Sequence, residues 1–488
     1  MPPPPPPHPP PPPPPPAAPP PLSAHRLPLP PTHPAPASLL LAPPSSPTRA
    51  LALLFPDSSA QLFASLPVPA AARSPTPTAV PAPLAAAACF ALLLPSSHLL
   101  FLTAHPSPAS PAVHLRAYSL TSASAFARFV PSPLSFKREV SASGLPLPGL
   151  PFGLGVRLAA EVNAVALLSV AAGQIWVLAP KLAADGRTVE LHKCAVVELE
   201  SARPVYAMEV AMGRLLLGEA GGVRVFQLRP LMKGGKEREG RKEGAAAAGS
   251  KSLQKKNGIL NGLVVPVRRG SNGGGTEGHA VSTSKLTTLR VKQSSGSYFS
   301  LLIFKNDDHN SQDSTELLKA VQAVSIHPLS KNKFLVLDSS GVLHVLSFSS
   351  TEMLSGAGSK QYSENIHMYR LDYPMKVLLS AVFPSSSTKT QIFWVSDGGH
   401  SVHIMSAFDV ESPDGEDGHG VGERELTTIK LSAIEAIFTS EKVQDIVPIS
   451  KDSVLILGQG GDTNSCLDHD FTAFDGFLTR DRNGDLKL

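Results

Sequence analysis

The chain has 488 residues and a formal net charge of +4, is 42 % hydrophobic and only 17 % charged, and gathers its 50 prolines and 37 glycines mainly in an amino-terminal tract and one internal segment. The hydrophobic content suffices for a sizeable core, while a charged content below the roughly 25 % of an average soluble domain leaves Ser, Thr, Gly and Ala to cover much of the surface. This arithmetic excludes a wholly disordered chain, a coiled coil and a collagen; three widely spaced cysteines, Cys89, Cys194 and Cys466, exclude a disulfide scaffold.

Residues 1–37 read as a disordered proline-rich tail, because proline fixes φ and lacks a backbone donor, so its continuous runs form polyproline II. The run Pro9, Pro10, Pro11, Pro12, Pro13, Pro14, Pro15 and Pro16 is a candidate ligand for profilin, SH3 or WW domains, since a preformed helix loses little entropy on docking. Polyproline cannot form the apolar helix of a secretory signal. Asp57 is the only acidic residue before Glu139, a plastid-transit composition, but transit peptides are not led by polyproline. The expected address is therefore nucleus or cytoplasm and not the plastid.

From Ser38 onward a unit recurs: an apolar run, a tight polar turn often ending in glycine, then a second apolar run. Clear examples are "VALLSVAAGQIWVLAP" from Val165, "GRLLLGEAGGVRVFQL" from Gly213 and "KFLVLDSSGVLHVLSF" from Lys333. The second runs open at Ser59, Pro111, Gly173, Gly222, Gly341, Gly399 and Gly461, a period of roughly 50–60 residues once the polar segment between Gly222 and Gly341 is set aside. A further apolar run precedes each unit, as in "ACFALLLP" from Ala88 and "VLLSAVFP" from Val377. The hydropathy peak Ala85–Ala104 is interrupted by Pro95-Ser96-Ser97-His98, which reads as a turn between two buried strands and not as the middle of a membrane helix.

Short apolar runs bounded by Gly, Pro, Ser and Asp are strands. About four antiparallel strands per period make a β-propeller blade. The expected fold is all-β, a propeller of seven blades with six as the alternative. Its parts are the tail 1–37, blades one to three and the first part of blade four in 38–232, a disordered basic Gly-rich insertion in 233–297, and the remainder through blade seven in 298–488.

The segment Val324–Phe348, with His327-Pro328 and Asp338-Ser339-Ser340-Gly341 in its turns, resembles a blade of the WD-repeat, transducin-like proteins, in a divergent plant form. The segment from Ala381 to Met405 is similar. Trp176 and Trp394 are both followed by valine, so neither ends a strand with the WD dipeptide. The resemblance implies a scaffold that binds peptides or proteins, and it transfers no individual site residue.

No G-x-S-x-G, H-E-x-x-H or C-x-x-C occurs, and Arg241 after Gly240 breaks the phosphate-loop pattern, so no catalytic residue, cofactor or metal site is expected. His400 and His403 are three apart and on a strand would face opposite ways. The acidic stretch from Asp409 to Glu425 lacks the order of a calcium loop. The insertion carries thirteen Lys/Arg against four glutamates, and Lys236, Arg238, Arg241, Lys242, Lys255 and Lys256 form a loose two-part nuclear-localisation pattern. Before Tyr298 that insertion has no aromatic residue on which a base could stack, which argues against nucleic acid as partner. The expected function is a non-enzymatic protein-interaction scaffold without a membrane role. The alternatives are a polyproline linear-motif adaptor, or a propeller enzyme with carboxylates or histidines converging on its channel.

Overall fold

Apolar runs joined by tight turns pair with their nearest neighbours in sequence, and most sheets here are such antiparallel meanders. The computed structural model describes residues 23–26, 34–66, 76–81, 87–107, 109–121, 127–233, 259–260, 263–264, 288–294, 299–304, 321–353, 361–371, 373–384, 390–409, 429–451, 453–459 and 476–479. After an amino-terminal strand β1 (Ser23–Arg26), the first sheet is β2 (Ser38–Leu41), β3 (Leu51–Leu54), β4 (Ala60–Phe63) and β5 (Thr78–Val80). The second has β6 (Ala87–Leu93), β7 (His98–Pro106), β8 (Ala112–Leu120) and β9 (Phe129–Ser132); the chain then makes the hairpin β10 (Leu134–Phe136) and β11 (Glu139–Ser141) before β12 (Leu145–Pro151) returns to β8. The third sheet is β13 (Val156–Glu161), β14 (Ala164–Ser169), β15 (Gln174–Leu182) and β16 (Val189–Glu198), with β10 paired parallel to β16.

The fourth sheet opens with β17 (Ala207–Ala211), β18 (Arg214–Glu219) and β19 (Gly222–Gln227), followed by the short helix α1 (Leu228–Lys233). After a two-stranded hairpin, β20 (Ile259–Leu260) and β21 (Leu263–Val264), strand β22 (Leu289–Lys292) goes back to the third sheet, parallel to β16, and β23 (Phe299–Ile303) completes the fourth. Two more meanders follow: β24 (Ala323–Ser330), β25 (Lys333–Asp338), β26 (Leu343–Met353), β27 (Gln361–Leu371); then β28 (Leu379–Val382), β29 (Thr390–Ser396), β30 (Ser401–Asp409), β31 (Ile429–Phe438). The last sheet is β32 (Val443–Ser450), β33 (Ser453–Gly458) and β34 (Gly476–Thr479), with β1 from the other end of the chain as its outermost strand.

This corrects the expected blade count. Five sheets are four-stranded blades, where seven, or alternatively six, were expected. Two further sheets hold five and seven strands, enlarged by segments that do not read as blade strands. The stretch Phe129–Pro151 is proline-rich and looks like a connection, yet its proline-bearing strands β9 and β12 sit at a sheet edge, where a missing N–H is tolerated, and the proline-free β10 lies between β11 and β16. Leu289–Lys292 lies in the segment expected to be disordered. A sequence period counts turns, not the strands that one sheet finally collects.

The first strands of successive sheets touch in turn, β2 to β6, then β13, β17, β24, β28 and β32, and β32 returns to β2. The chain is a β-propeller, a radial arrangement of sheets around an axis. Apolar side chains fill the interfaces: Leu102 and Leu115 meet Leu167 and Trp176, Ala381 and Trp394 meet Val454 and Ile456, and Leu53 and Phe63 meet Leu455 and Leu457. Burial on both sheet faces explains why the strands read as nearly continuous apolar runs. Gly218 is required where the fourth sheet meets β24, because a Cβ there would lie 2.4 Å from the carbonyl oxygen of Ala323. No helix among the described residues is long and apolar enough to cross a membrane.

Candidate functional site: a basic groove on the enlarged sheet

Pro9–Pro16, the cluster Lys236, Arg238, Arg241, Lys242, Lys255 and Lys256, and the acidic stretch beyond Asp409 lie outside the described residues. The histidines are spread through the sheets. In the β25–β26 turn, Asp338 Oδ1 accepts hydrogen bonds from the N–H groups of Ser340 and Val342, each at 2.9 Å, and Asp338 Oδ2 lies 2.8 Å from His344 Nε2. Gly341 supplies the positive φ that this turn requires. The rings of His105 and His114, cross-strand neighbours on β7 and β8, meet edge to face at 5.2 Å. Burial, then the nearby charges of Arg116 and His114, push His105 down to about 4, so it is neutral at physiological pH. His403 Nε2 lies 3.1 Å from Ser401 Oγ, and His400 precedes the strand.

The innermost strands carry acids and a histidine with local roles. Glu161 accepts hydrogen bonds from the N–H groups of Met212 at 2.7 Å and Gly213 at 3.1 Å, tying β13 to the β17–β18 turn. Burial first, and the Glu161 charge second, push Glu209 up to about 8, which keeps it protonated at neutral pH. His327 Nε2 lies 2.7 Å from Ser325 Oγ, and burial holds His327 at about 4. Among the described residues, no three His, Cys, Asp or Glu side chains are placed to hold a metal ion.

The distinctive site lies on the outer edge of the seven-stranded sheet. Strand β16 is covered at one end by β10, through Leu134–Val189 and Ser135–Glu190, and at the other by β22, through Ala195–Leu289 to Glu198–Lys292. Between them, no described strand pairs with Leu191–Cys194 on that edge, and Cys194 is the extra residue of a bulge against β15. A groove of about 440 Å³ sits over this gap, lined by Phe136, Lys137, Arg138, His192, Lys193 and Thr288 among others.

Lys137 and Arg138 are the two central residues of the β10–β11 hairpin, with φ of 49° and 76°. Positive φ at both positions defines the turn that favours Asn-Gly, because side chains bearing a Cβ resist that region. The Lys193 ammonium stands 3.9 Å from the centre of the Trp176 ring, and the Lys137 ammonium 5.4 Å from that of Phe136. Burial, then the charges of Lys137 and Arg290, lower the Lys193 pKa. The acids present are Glu139, exposed next to Arg138 at the start of β11, Glu190, 3.6 Å from His192, and Glu198, 2.9 Å from Arg290. Val140, across from groove-lining Ser135, is 63 % exposed beside them.

The basic insertion is rooted at this same edge. Where it leaves, α1 packs on β15 and β16 through Leu228 and Leu231. Where it returns, β22 leads to the buried Gln293, whose Nε2 donates to Glu219 Oε1 at 2.8 Å and to the Arg203 carbonyl at 3.2 Å. Glu219 in turn holds Arg224 through bonds of 2.5 and 2.9 Å, with both side chains buried. Residues 234–287 therefore span two anchored ends on one sheet edge. Sequence reading missed the groove because Phe136-Lys137-Arg138-Glu139 contains no Gly, Asn or Asp to mark a hairpin turn. The one available signal was the charge of that tetrapeptide within an acid-poor stretch.

No family model matches the sequence, and no curated protein matches it. Among solved structures, the chain is similar to the β-propeller domain of Cps50 (Swd1) from Myceliophteria thermophila, at 9 % identity over 91 % of this chain and 96 % of that one, with a TM-score of 0.38. It is also similar to the WD40 domain of SCAP from fission yeast, at 9 % identity over 91 % of this chain and 81 % of that one, again with a TM-score of 0.38. The propeller assignment stands on the sheet order and ring contacts of this chain.

Proposed function

We propose that the chain is a non-enzymatic protein-interaction scaffold, a divergent transducin-like propeller that holds protein partners without turning them over. The observation that carries this reading is the β10–β11 hairpin. It is an addition to the meander of its sheet, and it displays Lys137 and Arg138 to solvent in a backbone conformation unfavourable for both. An added, strained and exposed element supports recognition more than packing. The cluster Lys236, Arg238, Arg241, Lys242, Lys255 and Lys256 of the basic insertion would serve as a nuclear address. The run Pro9–Pro16 would add a second docking point, for profilin, SH3 or WW domains.

The test is cross-linked purification from native cells of three forms: the full chain, a chain lacking residues 235–286, and the segment 1–37 alone. The internal deletion spares β22 and Gln293, which anchor the third sheet to the fourth. The same partner set recovered with the first two forms is the expected result. Loss of every partner on the deletion would place the function in the insertion. Recovery of the full set by 1–37 alone would make the chain a linear-motif adaptor.

A further inference from the structure

We infer that the groove over Leu191–Cys194 receives an extended acidic peptide segment of a protein partner, held by Lys137, Arg138 and Lys193. This rests on the scaffold reading and names the partner chemistry of its site. Three observations lead there. First, no described strand pairs with Leu191–Cys194 between β10 and β22, and the Lys193 carbonyl in that gap accepts from Thr288 Oγ1 at 3.3 Å, so the opening is a short slot that takes an extended segment through its side chains. Second, the four cations around it, Lys137, Arg138, Lys193 and Arg290, outnumber the three acids Glu139, Glu190 and Glu198; Glu198 is engaged by Arg290 and Glu190 lies by His192, while Lys137 and Lys193 stand over aromatic rings. Third, the described ends of the insertion, α1 and β22, sit on this sheet, and the sequence from Lys233 to Lys292 carries thirteen Lys/Arg against four glutamates, a net charge that favours an acidic partner. Peptide is favoured over single-stranded nucleic acid. The rings of Phe136 and Trp176 are buried and covered by lysines, so neither offers an open face to a base.

The probe is a fluorescein-labelled eight-residue peptide of alternating glutamate and serine, titrated onto the full chain by fluorescence anisotropy. Its lysine–serine counterpart and an eight-nucleotide oligo(dT) are run in parallel. The acidic peptide should bind, weaken as salt is raised, and lose at least tenfold in affinity in Lys137→Asn with Arg138→Gly, and separately in Lys193→Gln. The hairpin variant carries the residues its turn prefers, so impaired folding would not explain the loss. Binding unchanged in both variants, or tighter binding of oligo(dT) than of the peptide, would overturn the inference. If the variants lose the peptide but keep their whole cellular partner set, the groove is not the partner's seat, and the scaffold reading stands without it.

Discussion

The backbone N–H of Leu39 donates a 2.8 Å hydrogen bond to Asp445 Oδ2 across the seam where the first and last sheets meet, joining residues 406 positions apart. Gln444 Nε2 donates to the Ala37 carbonyl at 3.0 Å, and Arg49 to the Ile449 carbonyl at 2.6 Å. With β1 as the outermost strand of the last sheet and β2 as the innermost of the first, the two ends of the chain interlock.

That seam has a pH dependence. Burial pushes the Asp445 carboxyl up to about 6, against an ordinary value of 3.8, despite hydrogen bonds from Leu39 and Ile446 that act the other way. The folded protein therefore binds this proton more tightly than the unfolded chain does. The contribution of Asp445 to stability is fully present below pH 3.8 and is lost as pH rises through about 6. Asp445→Asn removes the titration but turns the acceptor of either the Leu39 or the Ile446 N–H into a donor, so its stability should vary less between pH 4 and pH 7 than the parent's, which falls by up to about 3 kcal/mol over that range. Urea unfolding of both proteins across this range measures it.

The buried Arg224–Glu219 pair should be sensitive to the loss of one member. Removing one partner of a buried ion pair leaves an uncompensated charge and costs about 3–5 kcal/mol. Glu219→Ala should lower the unfolding free energy by that amount. Gln293→Ala, which removes donors from Glu219 and Arg203, should cost about 1–3 kcal/mol. A double-mutant cycle should show the two effects to be non-additive.

The hairpin offers the opposite sign. Replacing Lys137-Arg138 by Asn-Gly relieves two side-chain-bearing residues of a left-handed conformation that costs roughly 1–2 kcal/mol each. Thermal unfolding should show this variant to be more stable than the parent. Equal or lower stability would mean that the hairpin stores no strain.

Gly218→Ala should separate the fourth sheet from the blade that begins at Ala323, since the added methyl meets a backbone carbonyl and not a flexible side chain. Overpacking of this kind costs about 1–3 kcal/mol. Hydrogen exchange of β17 and β24 should accelerate together while β2 and β3 are unchanged.

The strand-rich architecture was legible because turns such as Asp338-Ser339-Ser340-Gly341 carry local chemistry: an aspartate that bonds its own backbone and a glycine with positive φ. The number of four-stranded blades was not. Strands β10 and β22 join β16 through parallel pairings with partners about 55 and 94 residues away, and parallel pairing leaves no turn signature between its members. The groove was hidden for the same reason. Lys137, Lys193 and Arg290 are distant in sequence, and only β16 brings them together. Glu219, Arg224 and Gln293 likewise read as ordinary surface residues until the fold closes over them.

The most direct measurement couples the native complex with a zero-length carboxyl-to-amine cross-linker and maps the linked lysines by mass spectrometry. Links from partner carboxylates should concentrate on Lys137 and Lys193. Links confined to Lys331, Lys376 and Lys442, which lie on other sheets, would contradict the basic groove as the surface on which this propeller holds its partner.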